Sequence, residues 1–127
     1  MNTITNIVVG DVLTRPKALG IATHFGVVIA PNAVLQNTPE RGEHLTTVQD
    51  FSAGKPITVH RTGVHPSIVV ARAHNALANP QKYDLIQNNC EHTTTKIVQG
   101  IAKSSQIAFF LTLAVLGGAV FLASKKS

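Results

Sequence analysis

The chain has 127 residues, enough for one small cored domain and an appendage but not for two domains. With 44% apolar and 13% charged residues it is no disordered tail, and its single cysteine excludes a disulfide framework or a Cys-rich zinc module. The net charge of +5 comes from scattered Lys and Arg, with no Trp and one Tyr, which argues for a solvated surface and against nucleic acid as a partner.

The opening Met1-Asn2-Thr3-Ile4 has no basic region before its apolar stretch, and Asp11 interrupts that stretch, so no signal peptide is expected. Ile7 to Leu13 is a short β-rich run with a turn-like Gly10-Asp11. Thr14 to Gly20, holding Pro16, reads as a loop. Ile21 to Ile29 is apolar on both faces and reads as a central strand. Pro31-Asn32 turns the chain into a returning strand over Ala33 to Gln36, making a hairpin. Next come a loop over Asn37 to Gly42, a short strand over Leu45 to Val48, a turn over Phe51 to Pro56 and a strand over Ile57 to Arg61.

Beyond Pro66 the period changes. Pro66 suits a first helical turn, and Val69, Val70, Ala73, Ala76 and Leu77 repeat at helical spacing until Asn79-Pro80. Tyr83-Asp84-Leu85 precedes a second helix, for which Asn88 or Asn89 is a natural N-cap. Cys90, Thr94, Ile97, Val98 and Ile101 then share one face. Strands followed by helices predict an α+β fold, a small antiparallel sheet with two packed helices.

Ile107 to Ala123 is 17 residues with no charge and only Thr112 polar, followed by Lys125 and Lys126. As a helix it would reach roughly 25 Å, with the lysines extending it to the interface by snorkelling. A helix apolar all round must be enclosed all round, and the preceding residues cannot both form a core and enclose it. A C-terminal transmembrane helix is expected, with residues 1–103 as the folded domain and 104–127 as linker and anchor. The chain is then single-pass and tail-anchored in a lipid bilayer, and the reduced thiol places the main domain on the cytoplasmic side.

The chemistry centres on Cys90. In a first helical turn its thiolate is favoured by the unpaired backbone N–H groups and the helix dipole, and those N–H groups can also receive an oxyanion. A free cysteine is also a small buried hydrophobe, and position alone does not decide between the two. His92, two residues on, points away from Cys90 on a helix. No HExxH and no second cysteine are present, so no metal and no cofactor are expected. His44, His60, His65 and His74 sit in polar surroundings and read as surface residues. His24 lies inside an apolar strand and is either a satisfied core residue or a positioned base. Gly26 shares its strand face and leaves room beside it. Gln36, on the returning strand, can accept from one imidazole nitrogen and fix the tautomer.

These residues fall in a recognisable order. Gly10-Asp11-Val12-Leu13, Thr23-His24-Phe25-Gly26-Val27-Val28, Asn37-Thr38-Pro39-Glu40-Arg41-Gly42, Tyr83-Asp84-Leu85 and Asn88-Asn89-Cys90-Glu91-His92 together resemble the lecithin:retinol acyltransferase-like proteins, a circularly permuted branch of the papain-like cysteine hydrolases. The resemblance covers about residues 7–102, with an H-box at His24 and an NC-box at Cys90. It implies Cys90 as nucleophile, His24 as base and Gln36 in the orienting place, where many relatives carry histidine. Thr93 stands where relatives often have Phe, and Val28 where they often have Tyr. Animal relatives end in an apolar membrane-inserting segment, in line with Ile107–Ala123.

The function implied is that of a membrane-anchored thiol acyltransferase or phospholipase-type lipid hydrolase, which acts on an acyl lipid through a Cys90 thioester. A cysteine peptidase or amidase using the same three residues, and a non-catalytic interaction module that keeps them as scaffold, are the alternatives.

Overall fold

A computed structural model describes residues 6–84 and 89–100. Five strands form one antiparallel sheet: β1 (Val12–Lys17), β2 (Ala22–Ala30), β3 (Ala33–Thr38), β4 (Gly42–Thr46) and β5 (Thr58–His60), in the spatial order β4-β3-β2-β1-β5. The strand carrying His24 is central, as the two-faced apolar pattern of β2 predicts. Among the described residues there are also three α-helices, α1 (Val48–Ser52), α2 (Pro66–Ala78) and α3 (Cys90–Gln99), and one 3-10 turn at Ala18–Gly20.

Alternation along β2 and β3 divides the core in two. Val27, Ile29 and Leu35 face α2 and α3 and pack with Val69, Ala73, Ala76 and Ile97. Val28 and Val34 point to the opposite face and pack with Leu13 and Phe51. A five-stranded sheet with helices on one face and the short α1 covering the other is α+β, as expected.

Three local expectations need correction. Thr14 to Lys17 continues β1 instead of looping, with Pro16 opposite Thr23. Proline is accommodated because β5 pairs only with Val12, Leu13 and Thr14, so β1 has an open edge by Pro16. The loop over Asn37 to Gly42 is shorter than expected, since Asn37 and Thr38 stay in β3 and Gly42 already pairs with Thr38. The turn at Phe51 is instead a short third helix. Thr47 caps it by accepting from the Asp50 N–H at 3.1 Å, and Phe51 drives it onto the sheet.

The two longer helices begin and end on the expected signals. Pro66 opens α2, and Asn79 ends it. Asn89, not Asn88, caps α3, and Gly100 closes it in the left-handed conformation at φ 77°. A buried carboxylate locks this half of the fold. Glu43 on β4 accepts from Lys96 Nζ and Thr93 Oγ1 of α3, each at 2.7 Å, and from the Gln81 N–H at 2.9 Å. It therefore ties the sheet to α3 and to the chain leaving α2.

Among the described residues no helix is long and apolar enough to cross a membrane. The expected anchor Ile107–Ala123, like Ile101, Leu85 and Asn88, lies outside the described residues.

Candidate active site

The β2–β3 register runs from Ala30 opposite Ala33 to Gly26 opposite Gln36, after which β3 continues paired to β4. At the other end of β2 the first turn of α3 approaches the strand. Cys90 Sγ lies 3.4 Å from the Phe25 N–H nitrogen and 3.9 Å from the Thr23 carbonyl oxygen, and the residue is 0% exposed. The sulfur thus contacts the peptides on either side of His24, in the place a longer β3 ladder would occupy.

The cap of α3 sets the angle at which Cys90 enters. Asn89 Oδ1 accepts from the Glu91 and His92 N–H groups, each at 2.9 Å, and the Asn89 N–H donates to His92 Nδ1 at 3.0 Å. This reciprocal pair is a capping box. It gives His92 a role the sequence did not suggest, and it corrects one expectation. Two of the first-turn donors expected to be open to an oxyanion are held by the cap.

His24 is 4% exposed and sits where alternation predicts, on the face of Val28 and Val34. Its ring stacks on Phe51 with centroids 5.0 Å apart. The room beside Gly26 is what admits that stack. A Cβ on Gly26 would meet Val34 Cγ1 at 2.6 Å and Phe51 Cε1 at 2.7 Å. His24 Nε2 is 2.8 Å from Gln36 Oε1, so the hairpin brings His24 and Gln36 into direct hydrogen bonding as the sequence suggests. Burial depresses the His24 pKa to about 4; the Gln36 bond opposes this, and Arg15, Lys17 and His44 reinforce it.

Three further contributors escaped the sequence reading. His44, read as a surface residue, is half-buried. Its Nε2 lies 3.0 Å from Gln36 Nε2, and its Nδ1 lies 2.7 Å from the Gly42 carbonyl oxygen. The usable signal was register, because His44 is the direct cross-strand partner of Gln36. Lys17 and Arg15, read as solvated charges, share one face of β1, and Lys17 Nζ comes within 3.7 Å of Cys90 Sγ. Arg15 is opposite His24 and donates from Nε to the Phe51 carbonyl at 2.5 Å. Tyr83, in the Tyr83-Asp84-Leu85 motif, has its phenol pKa raised by burial first and then by negative charge on Cys90, Asp84 and Glu40. His60, His65 and His74 are exposed, as read from the sequence.

The arrangement offers a sulfur between backbone dipoles and a lysine, and an uncharged imidazole held by an amide. Among the described residues no three His, Cys, Asp or Glu side chains gather as a metal site. No curated protein matches the chain significantly. The family model described as lecithin retinol acyltransferase matches residues 5–103, which takes in every described strand and α-helix, and Cys90, His24 and Gln36. A match over that span, on a chain whose cysteine meets the histidine strand at a capped helix start, places the protein in the lecithin retinol acyltransferase family, whose members are in general acyltransferases.

Proposed function

We propose that the chain is a membrane-anchored thiol acyltransferase or phospholipase-type hydrolase acting on acyl lipids. The observation that carries this reading is the His24–Gln36 hydrogen bond of 2.8 Å on the strand against whose peptides Cys90 Sγ rests.

In this reading the imidazole, uncharged at neutral pH, takes the Cys90 proton as the sulfur attacks the ester carbonyl. A carbon–sulfur bond forms, the ester carbon–oxygen bond breaks, His24 hands its proton to the leaving alkoxide, and an acyl thioester remains on Cys90. Water or an amine or alcohol acceptor then gives a proton to the neutral His24 as it attacks the thioester carbonyl, the carbon–sulfur bond breaks, and the sulfur takes that proton back; the identity of the acceptor decides hydrolase against transferase. Lys17 Nζ offsets negative charge on the sulfur at both stages. The Cys90 backbone N–H, which is not one of the two amides held by Asn89 Oδ1, is a donor for the developing oxyanion. Anchoring through Ile107–Ala123 would hold the site at the bilayer, where acyl esters are concentrated, with the domain on the cytoplasmic side.

Intact-mass spectrometry of the full chain incubated with phosphatidylcholine vesicles tests this. The expected result is an added acyl mass that maps to Cys90 and is lost in Cys90→Ala and His24→Ala. No adduct, together with cleavage of peptide substrates, would replace the proposal with a cysteine peptidase. A biological effect that survives both substitutions would replace it with a non-catalytic module.

A further inference from the structure

Four polar groups lie in series from β4 to β2: the Gly42 carbonyl, the His44 ring, the Gln36 amide and the His24 ring, at 2.7, 3.0 and 2.8 Å. The first of them has a fixed sense, because a carbonyl oxygen only accepts. It is also fixed in space. Gly42 has φ +70°, and a Cβ there would meet the Gln81 carbonyl oxygen at 2.8 Å. The next residue, Glu43, donates its N–H to the same Gln81 oxygen at 3.2 Å and accepts from the Gln81 N–H.

From that end each proton is determined in turn. His44 Nδ1 must carry a hydrogen to donate to Gly42, so in the neutral ring His44 Nε2 is bare and accepts. Gln36 therefore turns its NH2 to His44 and its carbonyl oxygen to His24. That oxygen can only accept, so His24 carries its hydrogen on Nε2 and has its lone pair on Nδ1. An amide facing the other way would put its NH2 against His24 Nε2 and drive the hydrogen to Nδ1, leaving the ring's one lone pair on Nε2, where the amide already occupies it.

We propose that His44 is a positioning residue that sets the tautomer of His24 through the Gln36 amide, with the Gly42 carbonyl as the reference acceptor. An amide alone has two nearly isosteric orientations, and His44 selects the one that leaves His24 Nδ1 basic. The catalytic meaning rests on the function proposed above, whereas the tautomer is a property of the resting protein. A chain with glutamine as its orienting residue thus needs a second, directional partner.

The test reads protons directly. Long-range proton–nitrogen correlation spectra of the imidazoles in the full chain distinguish hydrogen-bearing from bare ring nitrogens. The expected wild-type pattern is hydrogen on His24 Nε2 and on His44 Nδ1. In His44→Leu the amide loses its preference and His24 shows both tautomers; if they split evenly, Cys90 acylation slows about twofold at unchanged KM, since half the bases have the wrong nitrogen free. In Gln36→Glu a carboxylate that only accepts holds His24 Nε2–H by itself, so adding His44→Leu leaves the His24 tautomer unchanged. Hydrogen on His24 Nδ1 in the wild type overturns the proposal, and this measurement needs no variant to fold. An unchanged His24 tautomer in His44→Leu also overturns it. The stated tautomer pattern in a protein that never acylates Cys90 supports the relay while removing the enzymatic reading.

Discussion

Acidification should destabilise this fold through one side chain. The His24 imidazole is enclosed by Phe51, Gln36 and the sheet, and burial lowers its pKa from 6.5 to about 4. In the unfolded chain it binds its proton at the ordinary value, so between those limits the unfolded state holds more protons than the native one. Stability from this source is complete above pH 6.5, falls as pH drops, and is exhausted once the native ring itself protonates near pH 4. Integrated from neutrality to pH 4, the loss is about 3 kcal/mol, a large part of the 5–15 kcal/mol typical of small domains. Urea unfolding followed by circular dichroism at pH 7, 6, 5 and 4, on wild type and His24→Leu, isolates the effect because other acids titrate in both proteins and drop out of the difference. The wild type should lose about 3 kcal/mol more than the variant over that range, most of it below pH 6. Parallel curves would show that the imidazole is solvated in the native state and would refute the reasoning.

Other substitutions probe other contacts. Gly26→Ala forces Phe51 or Val34 to move and should cost about 2 kcal/mol by chemical denaturation, with acylation of Cys90 lowered as the His24 stack is disturbed. Lys96→Met leaves the buried Glu43 carboxylate without its cation and should cost about 3 kcal/mol, measured the same way. Lys17→Met removes a cation 3.7 Å from the sulfur; with about 1 kcal/mol of screened attraction lost, iodoacetamide should alkylate Cys90 about fivefold more slowly at pH 7. The full chain should co-sediment with phospholipid vesicles, and removing residues 104–127 should abolish that binding.

Features that depend on neighbours in sequence could be read in advance. The β2–β3 hairpin comes from a two-residue turn between apolar runs, and it brings His24 and Gln36 together. Asn89 before Cys90 supplies the cap that begins α3. Features that depend on partners distant along the chain escaped. Glu43 is a buried ligand for Lys96 and Thr93, dozens of positions away, and nothing beside it in sequence predicts that company. Lys17 looks like a surface lysine until β1 is extended past Pro16, which local propensity argues against. The short α1 has too few residues for periodicity to show, and burial of Phe51 does what propensity does not. His44 becomes informative only once the β3–β4 register is fixed.

The sulfur's rest against the two peptides flanking His24 has a mechanical consequence. Cys90 is carried by the helix layer and His24 by the sheet, so sliding of one layer over the other alters the gap between them. The two sulfur–peptide contacts are the local stops against that sliding, and loosening the α3 cap should shift the thiol along the histidine strand before it disturbs either core.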